Sequence, residues 1–380
     1  MSGHKIESPS HARTEIALGQ IVRSFLVLGS TSFGGPIASI ALMEDHWVRR
    51  FGWVSREEFF EIFTLCKMLP GATATQVAIS LGKRKQGTLG GILAGLCFIA
   101  PAFCLIFVLA LFYREGWVQA QSSQQTQGTV AGLQAGALGL LMASSIHFAR
   151  GVLSRWSDAV PVLSSALFVW FLPTWEPLVI VFWGGLSLLI GRRKVLREVG
   201  SIGLGVLTLF WVCLRTGALA FGTGMAMVTL LGVEMVQIHQ WLTASQFVDS
   251  LVFGQMTPGP LVITASFAGF LAFGIPGLFA ATLGVFLPGF VMILLILPAV
   301  FRRFPGSTRT LESFARGAIP AVVGGVIASA LSLVYKAPWD PVSLGIGATA
   351  VICAVWIPRI PSWFMIIASG ILGWVVSVRG

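Results

Sequence analysis

The chain has 380 residues, of which 55% are hydrophobic and only 11% charged, with a net charge of +10 and a mean hydropathy of +0.85. Soluble domains carry about 25% charged residues, so this composition excludes a large soluble domain and predicts a polytopic membrane protein. The basic excess does not point to nucleic acid, because Lys and Arg gather in short loops, the pattern that sets membrane topology.

Residues 1–13 are polar and carry no separate apolar region with a cleavage site, so no removable signal peptide is expected. The first span covers 16–43 and is broken at Phe33-Gly34-Gly35-Pro36. Gly and Pro inside a span free backbone groups that protein, water or ligand must satisfy. A charged loop with Glu44, Asp45, Arg49, Arg50 and Arg56 follows. Ser55 and Glu58 form a capping box, which starts an amphipathic helix that stops at Pro70-Gly71. A short apolar piece, 72–81, ends at Lys83-Arg84-Lys85. Neither piece is long enough to cross a core of about 30 Å, and basic residues bracket the pair. The pattern predicts a hairpin that enters and leaves on one side. Further spans are expected at 88–113, 129–149, 159–172 and 177–190, followed by a basic linker at 192–197.

The second half repeats this order. Phe33 pairs with Phe221, Trp53 with Trp241, Phe59 with Phe247 and Pro70-Gly71 with Pro258-Gly259, each 188 residues apart. Over 33–77 this register holds ten identities in 45 positions without a gap. Thr243 and Gln246 repeat the capping box, and Phe221-Gly222-Thr223-Gly224 repeats the broken span. Spans are expected at 202–231, 277–300, 311–334, 341–356 and 362–378, with a hairpin at 243–273. The predicted fold class is an all-α polytopic membrane protein with two homologous repeats, residues 1–198 and 199–380. Each repeat has about five spans and a re-entrant Pro-Gly hairpin. Five is odd, so the second repeat enters the membrane upside down, an inverted repeat. Basic residues from 49–56, 83–85, 150–155, 192–197 and 302–316, with Arg359, fall on one face; Lys5, Arg13, Arg114, Lys336 and Arg379 fall on the other. The first face is expected to be cytoplasmic, with both termini outside.

A broken helix presents unpaired N–H groups and the positive end of a dipole inside the membrane, which attracts anions. Close helix packing also uses Gly and Pro, and a single FGGP fits either role. Four such elements repeated in register favour a small anion held by backbone amides and hydroxyls. Candidate contacts are Gly34, Gly35, Pro36, Pro70, Gly71, Gln76, Gly222, Gln255, Thr257, Pro258, Gly259 and Pro260. Lys67 stands three residues before Pro70, either facing an anionic substrate or paired with Glu57 or Glu61. Arg23 is a gate or a snorkelling residue, and Arg215 reads the same way. Glu61 and Asp249 occupy equivalent positions and are coupling candidates if buried. Cys66, Cys97, Cys104, Cys213 and Cys353 contain no C-x-x-C pair, and the five His residues show no ligand spacing, so no metal is expected. No nucleotide or nucleophile motif is present, so neither an enzyme nor a cofactor is expected.

Phe33-Gly34-Gly35-Pro36, Trp53-Val54-Ser55 with Glu58-Phe59, Met68-Leu69-Pro70-Gly71, Gln255-Met256-Thr257-Pro258-Gly259-Pro260 and Pro288-Gly289-Phe290 together resemble the chromate ion transporter family in its long, two-domain form. The resemblance covers nearly the whole chain. It implies a secondary transporter in the inner (plasma) membrane that exports the chromate dianion and confers resistance, with sulfate as the competing anion. Two antiparallel halves belong to the same picture. The implied partners are chromate, sulfate, the lipid bilayer and, as an assembly, a homodimer, without nucleic acid. The chain departs from the family pattern at the first tip, with Ala72 where Pro is frequent and Gln76 where Asn is frequent. The alternatives are a sulfate or other oxyanion carrier, and a passive anion channel with the same broken helices as its filter.

Overall fold

The fold is built on local signals that recur at a fixed interval. A computed structural model describes residues 16–33, 35–113, 124–153, 156–171, 179, 182–183, 205–219, 224–303, 308–336, 339–357 and 360–379. No strand occurs among them. Helix α1 (Leu18–Thr31) ends at the first break, and α2 (Gly35–Glu44) runs into a π-helical turn, Asp45–Arg50. Helix α3 (Arg56–Met68) and α4 (Thr73–Phe112) follow. Helices α5 (Gln124–Val152) and α6 (Trp156–Phe171) complete the described part of the first half. The second half has α7 (Gly205–Leu219), α8 (Gly224–Gly232), a π-helical turn at Val233–Ile238, α9 (Ala244–Met256) and α10 (Thr264–Val291). Helix α10 continues through a π segment into α11 (Leu297–Arg303). Last come α12 (Thr308–Lys336), α13 (Pro341–Trp356) and α14 (Ser362–Arg379).

The register of 188 holds in local structure. Both π turns and both hairpin helices, α3 and α9, begin and end at equivalent residues. Ser55 accepts from the Glu58 amide at 3.1 Å, and Thr243 from the Gln246 amide at 3.2 Å. Only the second capping box is complete, with Gln246 reaching back to the Thr243 amide. The Glu58 carboxylate instead takes Arg84, which ties the start of α3 to α4.

Helix α4 does not stop at the basic cluster; it continues to Gln86-Gly87 and reverses there. Gln86 (φ −131°, ψ 28°) and Gly87 (φ 62°, ψ −157°) have counterparts in Phe273 (φ −139°, ψ 21°) and Gly274 (φ 64°, ψ −151°) of α10. A positive φ is a glycine conformation, and it lets two helical limbs double back at once. Small residues then bring the limbs together: a Cβ on Gly82 would lie 2.5 Å from the Ala94 Cβ, and one on Gly269 2.7 Å from the Ala281 Cβ. The second limbs are long, apolar and able to cross a membrane. On α10 the exposed face reads Ile275, Phe279, Leu283 and Leu287, a stripe at helical spacing. Such a face is stable against lipid and not against water.

Packing ties the halves together. Within each half the broken helix lies on the long second limb: a Cβ on Gly29 would meet the Phe98 carbonyl oxygen at 2.5 Å, and one on Gly217 the Val285 carbonyl oxygen at 2.8 Å. The later helices cross over. Helices α13 and α14 of the second half pack on α5 of the first, and α6 of the first packs on α12 of the second. Gly132, Gly136 and Gly139 of α5 face Gly373, Ser369 and Gly347, and Gly324 of α12 faces Ser165. Small residues allow such backbone approach where lipid offers no hydrophobic drive between helices. The expected span 177–190 apart from 179, 182 and 183, the linker 192–197, Gly34 and Gly222 lie outside the described residues.

Candidate functional site

Two helices end in extended backbone at a Pro-Gly pair. Leu69 (φ −91°, ψ 148°) precedes Pro70, and Thr257 (φ −88°, ψ 134°) precedes Pro258; a residue before Pro is pushed out of the helical region. Gly71 has φ 125° and Gly259 φ 104°, which L side chains rarely adopt. Helix α4 starts again at once, at Thr73, whereas Pro260 leads into a short 3₁₀ turn, Leu261–Ile263, before α10.

Each tip lies on the other half. The Gly259 amide donates to the Ser32 carbonyl at 2.8 Å, where α1 breaks. A Cβ on Gly259 would stand 2.9 Å from the Ala102 Cβ, and one on Gly71 3.6 Å from the Gly289 Cα. Ala102 follows Pro101, and Gly289 follows Pro288, near the middle of the two long limbs. Each tip therefore sits against the middle of the other half's long limb.

The polar side chains here are buried and incompletely paired. Gln76 donates from Nε2 to the Pro70 carbonyl at 2.6 Å, which leaves its Oε1 without a partner. The Ser32 and Thr75 hydroxyls and the Gln255 Nε2 are also buried and unpartnered. Four of the eight such atoms among the described residues thus belong to the tips or their contacts. Leaving a buried polar atom unpaired costs about 1–3 kcal/mol, so unmet hydrogen-bonding capacity is concentrated at the tips. The first backbone N–H groups of α4, at Thr73, Ala74 and Thr75, add the positive end of a helix dipole. Thr257 is different: its hydroxyl donates to the Phe253 carbonyl at 2.7 Å. Gly35 has φ 80° at the start of α2, and Pro36 is the second residue of that helix.

The chromate transporter family model matches residues 19–189 and 207–374. The chain belongs to the chromate transporter family. It is 28% identical to a probable chromate transport protein of Synechococcus elongatus over 97% of this chain and 98% of that protein. It is 27% identical to chromate transport proteins of Cupriavidus metallidurans (87% and 86% covered) and Pseudomonas aeruginosa (94% and 92%). No solved structure matches. Membership carries a role in chromate transport and places the chain in a membrane.

The charged residues of this transporter occupy different settings. Arg23 is exposed on α1. Lys67 is exposed on the last turn of α3. Glu61, a coupling candidate only if buried, is exposed as well. Asp249 is only 3% exposed and accepts from the Tyr113 hydroxyl and Gln134 Nε2, both at 2.7 Å. Arg215 of the second half binds Glu234 in the π turn. Sequence reasoning missed Ser32, Tyr113 and Gln134. Ser32 adjoins the broken motif and was legible by position, whereas the other two act across halves and carry no local signal.

Proposed function

We propose that this protein is a secondary transporter that exports chromate across the inner membrane, with both termini outside and sulfate as a competing anion. Its halves are inverted repeats, and α3 with α4, like α9 with α10, begins as a re-entrant hairpin. Helix α3 has 13 residues, about 20 Å at 1.5 Å per residue, which is too short to cross and long enough to bring its tip past the midplane.

The observation that carries the reading is the seating of each Pro-Gly tip on the other half's long limb beside buried, unpartnered donors: the Ser32 and Thr75 hydroxyls and Gln255 Nε2. Neutral donors suit a tetrahedral dianion that must also be released, since a buried fixed cation would hold it. Gln76 contributes by holding the Pro70 carbonyl, the atom that would repel an anion. A dianion leaving a negative interior gains about 2.3 kcal/mol per charge per 100 mV, so outward uniport needs no coupled ion. Asp249 is the coupling candidate if one exists, being buried where Glu61 is not.

Chromate uptake into inside-out vesicles, with and without excess sulfate, tests this. Saturable uptake that an interior-positive potential accelerates and sulfate suppresses is expected. Uptake no higher than in vesicles lacking the protein would detach the fold from chromate.

A further inference from the structure

The two hairpins share a register but not an environment. On α3, Glu57, Glu61, Thr64 and Lys67 form one stripe at helical spacing, and all four are exposed. Charged side chains at membrane depth face water or protein rather than lipid, so on the re-entrant reading this stripe borders water. The equivalent residues of α9 are Ser245, Asp249, Val252 and Gln255. Asp249, Val252 and Gln255 are buried and Ser245 is half-buried. Three of the four α9 positions are less polar than their α3 counterparts, but polarity does not account for the remaining pair, because Asp249 carries the same group as Glu61 and is buried where Glu61 is exposed.

What differs is the helix opposite. Helix α9 lies along α5, whereas α3 barely meets α12, the counterpart of α5. The contact between α9 and α5 is polar at its centre. Gln134 of α5 donates from Nε2 to Asp249 Oδ1 at 2.7 Å and to Ser245 Oγ at 2.9 Å. The Tyr113 hydroxyl, at the end of α4, donates to Asp249 Oδ2 at 2.7 Å. The Tyr113 ring also stands edge-on to Phe253 and Phe267, which stack on each other. Both donors belong to the first half and grip the hairpin of the second. A cavity of about 210 Å³, lined by Gln127, Gln134, Ser245, Val248, Trp339 and Ser343, reaches this clamp from the loop that precedes α13.

We propose that the structure is the state open at the first hairpin and shut at the second, that Tyr113, Asp249 and Gln134 form the gate that shuts it, and that transport exchanges these two conditions between the halves. The proposal rests on the inverted-repeat reading. In that arrangement the first hairpin opens to the cytoplasm, and the second is sealed from the outside. The reverse state parts α9 from α5, wets the Asp249 stripe and closes α3 on α12. A carboxylate suits such a gate. It is stable in the closed contact only while both donors hold it, because a buried charge without partners is costly. Once either bond is lost, water is the better partner. Lys67, at the tip end of the open stripe, is the cation nearest the first tip along it.

Thiol labelling tests the gate without any substrate. Thr64→Cys and Val252→Cys are each made the only cysteine in the full chain. A membrane-impermeant maleimide is then applied to inside-out and right-side-out vesicles. Thr64→Cys labels in inside-out vesicles only, and Val252→Cys labels in neither. Adding Gln134→Leu or, separately, Tyr113→Phe raises Val252→Cys labelling about tenfold in right-side-out vesicles, the change expected for losing one hydrogen bond to a charged group. The same variants slow Thr64→Cys labelling from the other side, which also shows that they remain folded. Val252→Cys labelling as fast as Thr64→Cys with the clamp intact overturns the proposal, as does unchanged Val252→Cys labelling in both clamp variants. Labelling of both positions from one face overturns the inverted arrangement and the gate together. The expected pattern without chromate flux leaves the gate standing and removes only the substrate.

Discussion

Gly71 and Gly259 set the shape of both tips, and they tolerate substitution for different reasons and to different extents. Each has a φ that strains any L side chain, by about 1–3 kcal/mol. At Gly259 the added Cβ also meets the Ala102 Cβ, whereas at Gly71 it meets the flexible Gln76 side chain at 2.6 Å. Gly259→Val is therefore expected to abolish chromate flux in a chain that still inserts and elutes as the native protein. Gly71→Ala retains a fraction of flux; vesicle transport and size-exclusion profiles check both. The unpartnered donors make a finer distinction. Gln255→Leu removes a free donor and raises the KM for chromate by about tenfold or more, as for a lost hydrogen bond to a charged ligand. Thr257→Val removes a hydroxyl that is already used on the Phe253 carbonyl and leaves KM within about twofold. From sequence alone Thr257 and Gln255 were equivalent candidates; only the direction of each side chain separates them.

At the level of elements, boundaries were legible wherever a cap, a Pro or a Gly fixes them. Residues 341–356 were expected as a span, and the helix runs Pro341–Trp356 with Asp340 as its N-cap. The hairpin helices were legible from their capping residues. The π turns at Asp45–Arg50 and Val233–Ile238 were not, because a π turn differs from an α turn by one hydrogen-bond step and carries no residue signature. Asp340 gives an element-scale test. Its carboxylate accepts from the Ser343 amide at 3.2 Å, and the hydrogen bonding with Ser343 holds its pKa below the ordinary value. Its contribution is present above the unfolded-state pKa and is lost as pH falls through the lowered native value. Asp340→Ala is expected to cost about 1 kcal/mol, the usual N-cap effect. Thermal unfolding of native and variant chains is expected to converge in acid below both pKa values; a gap that persists unchanged there contradicts this role.

For the whole molecule, the repeat was legible and its assembly was not. Ten identities at one offset announce two like halves. Nothing in them announces that α13 and α14 pack on α5 while α6 packs on α12, since such contacts join residues far apart in sequence through small side chains of no special type. Nor does equivalence of Glu61 and Asp249 reveal that one is exposed and the other clamped by Tyr113 and Gln134. On the gate proposal, that asymmetry belongs to one of two states that a single pattern of residues must serve. The central claim is that the two tips form the oxyanion site. Chromate binding to the purified full-length chain, measured by isothermal titration for the native protein and Gln255→Leu, tests it most directly. The account predicts saturable native binding weakened about tenfold or more in the variant. Native-like affinity in Gln255→Leu would contradict it and move the site away from the tips.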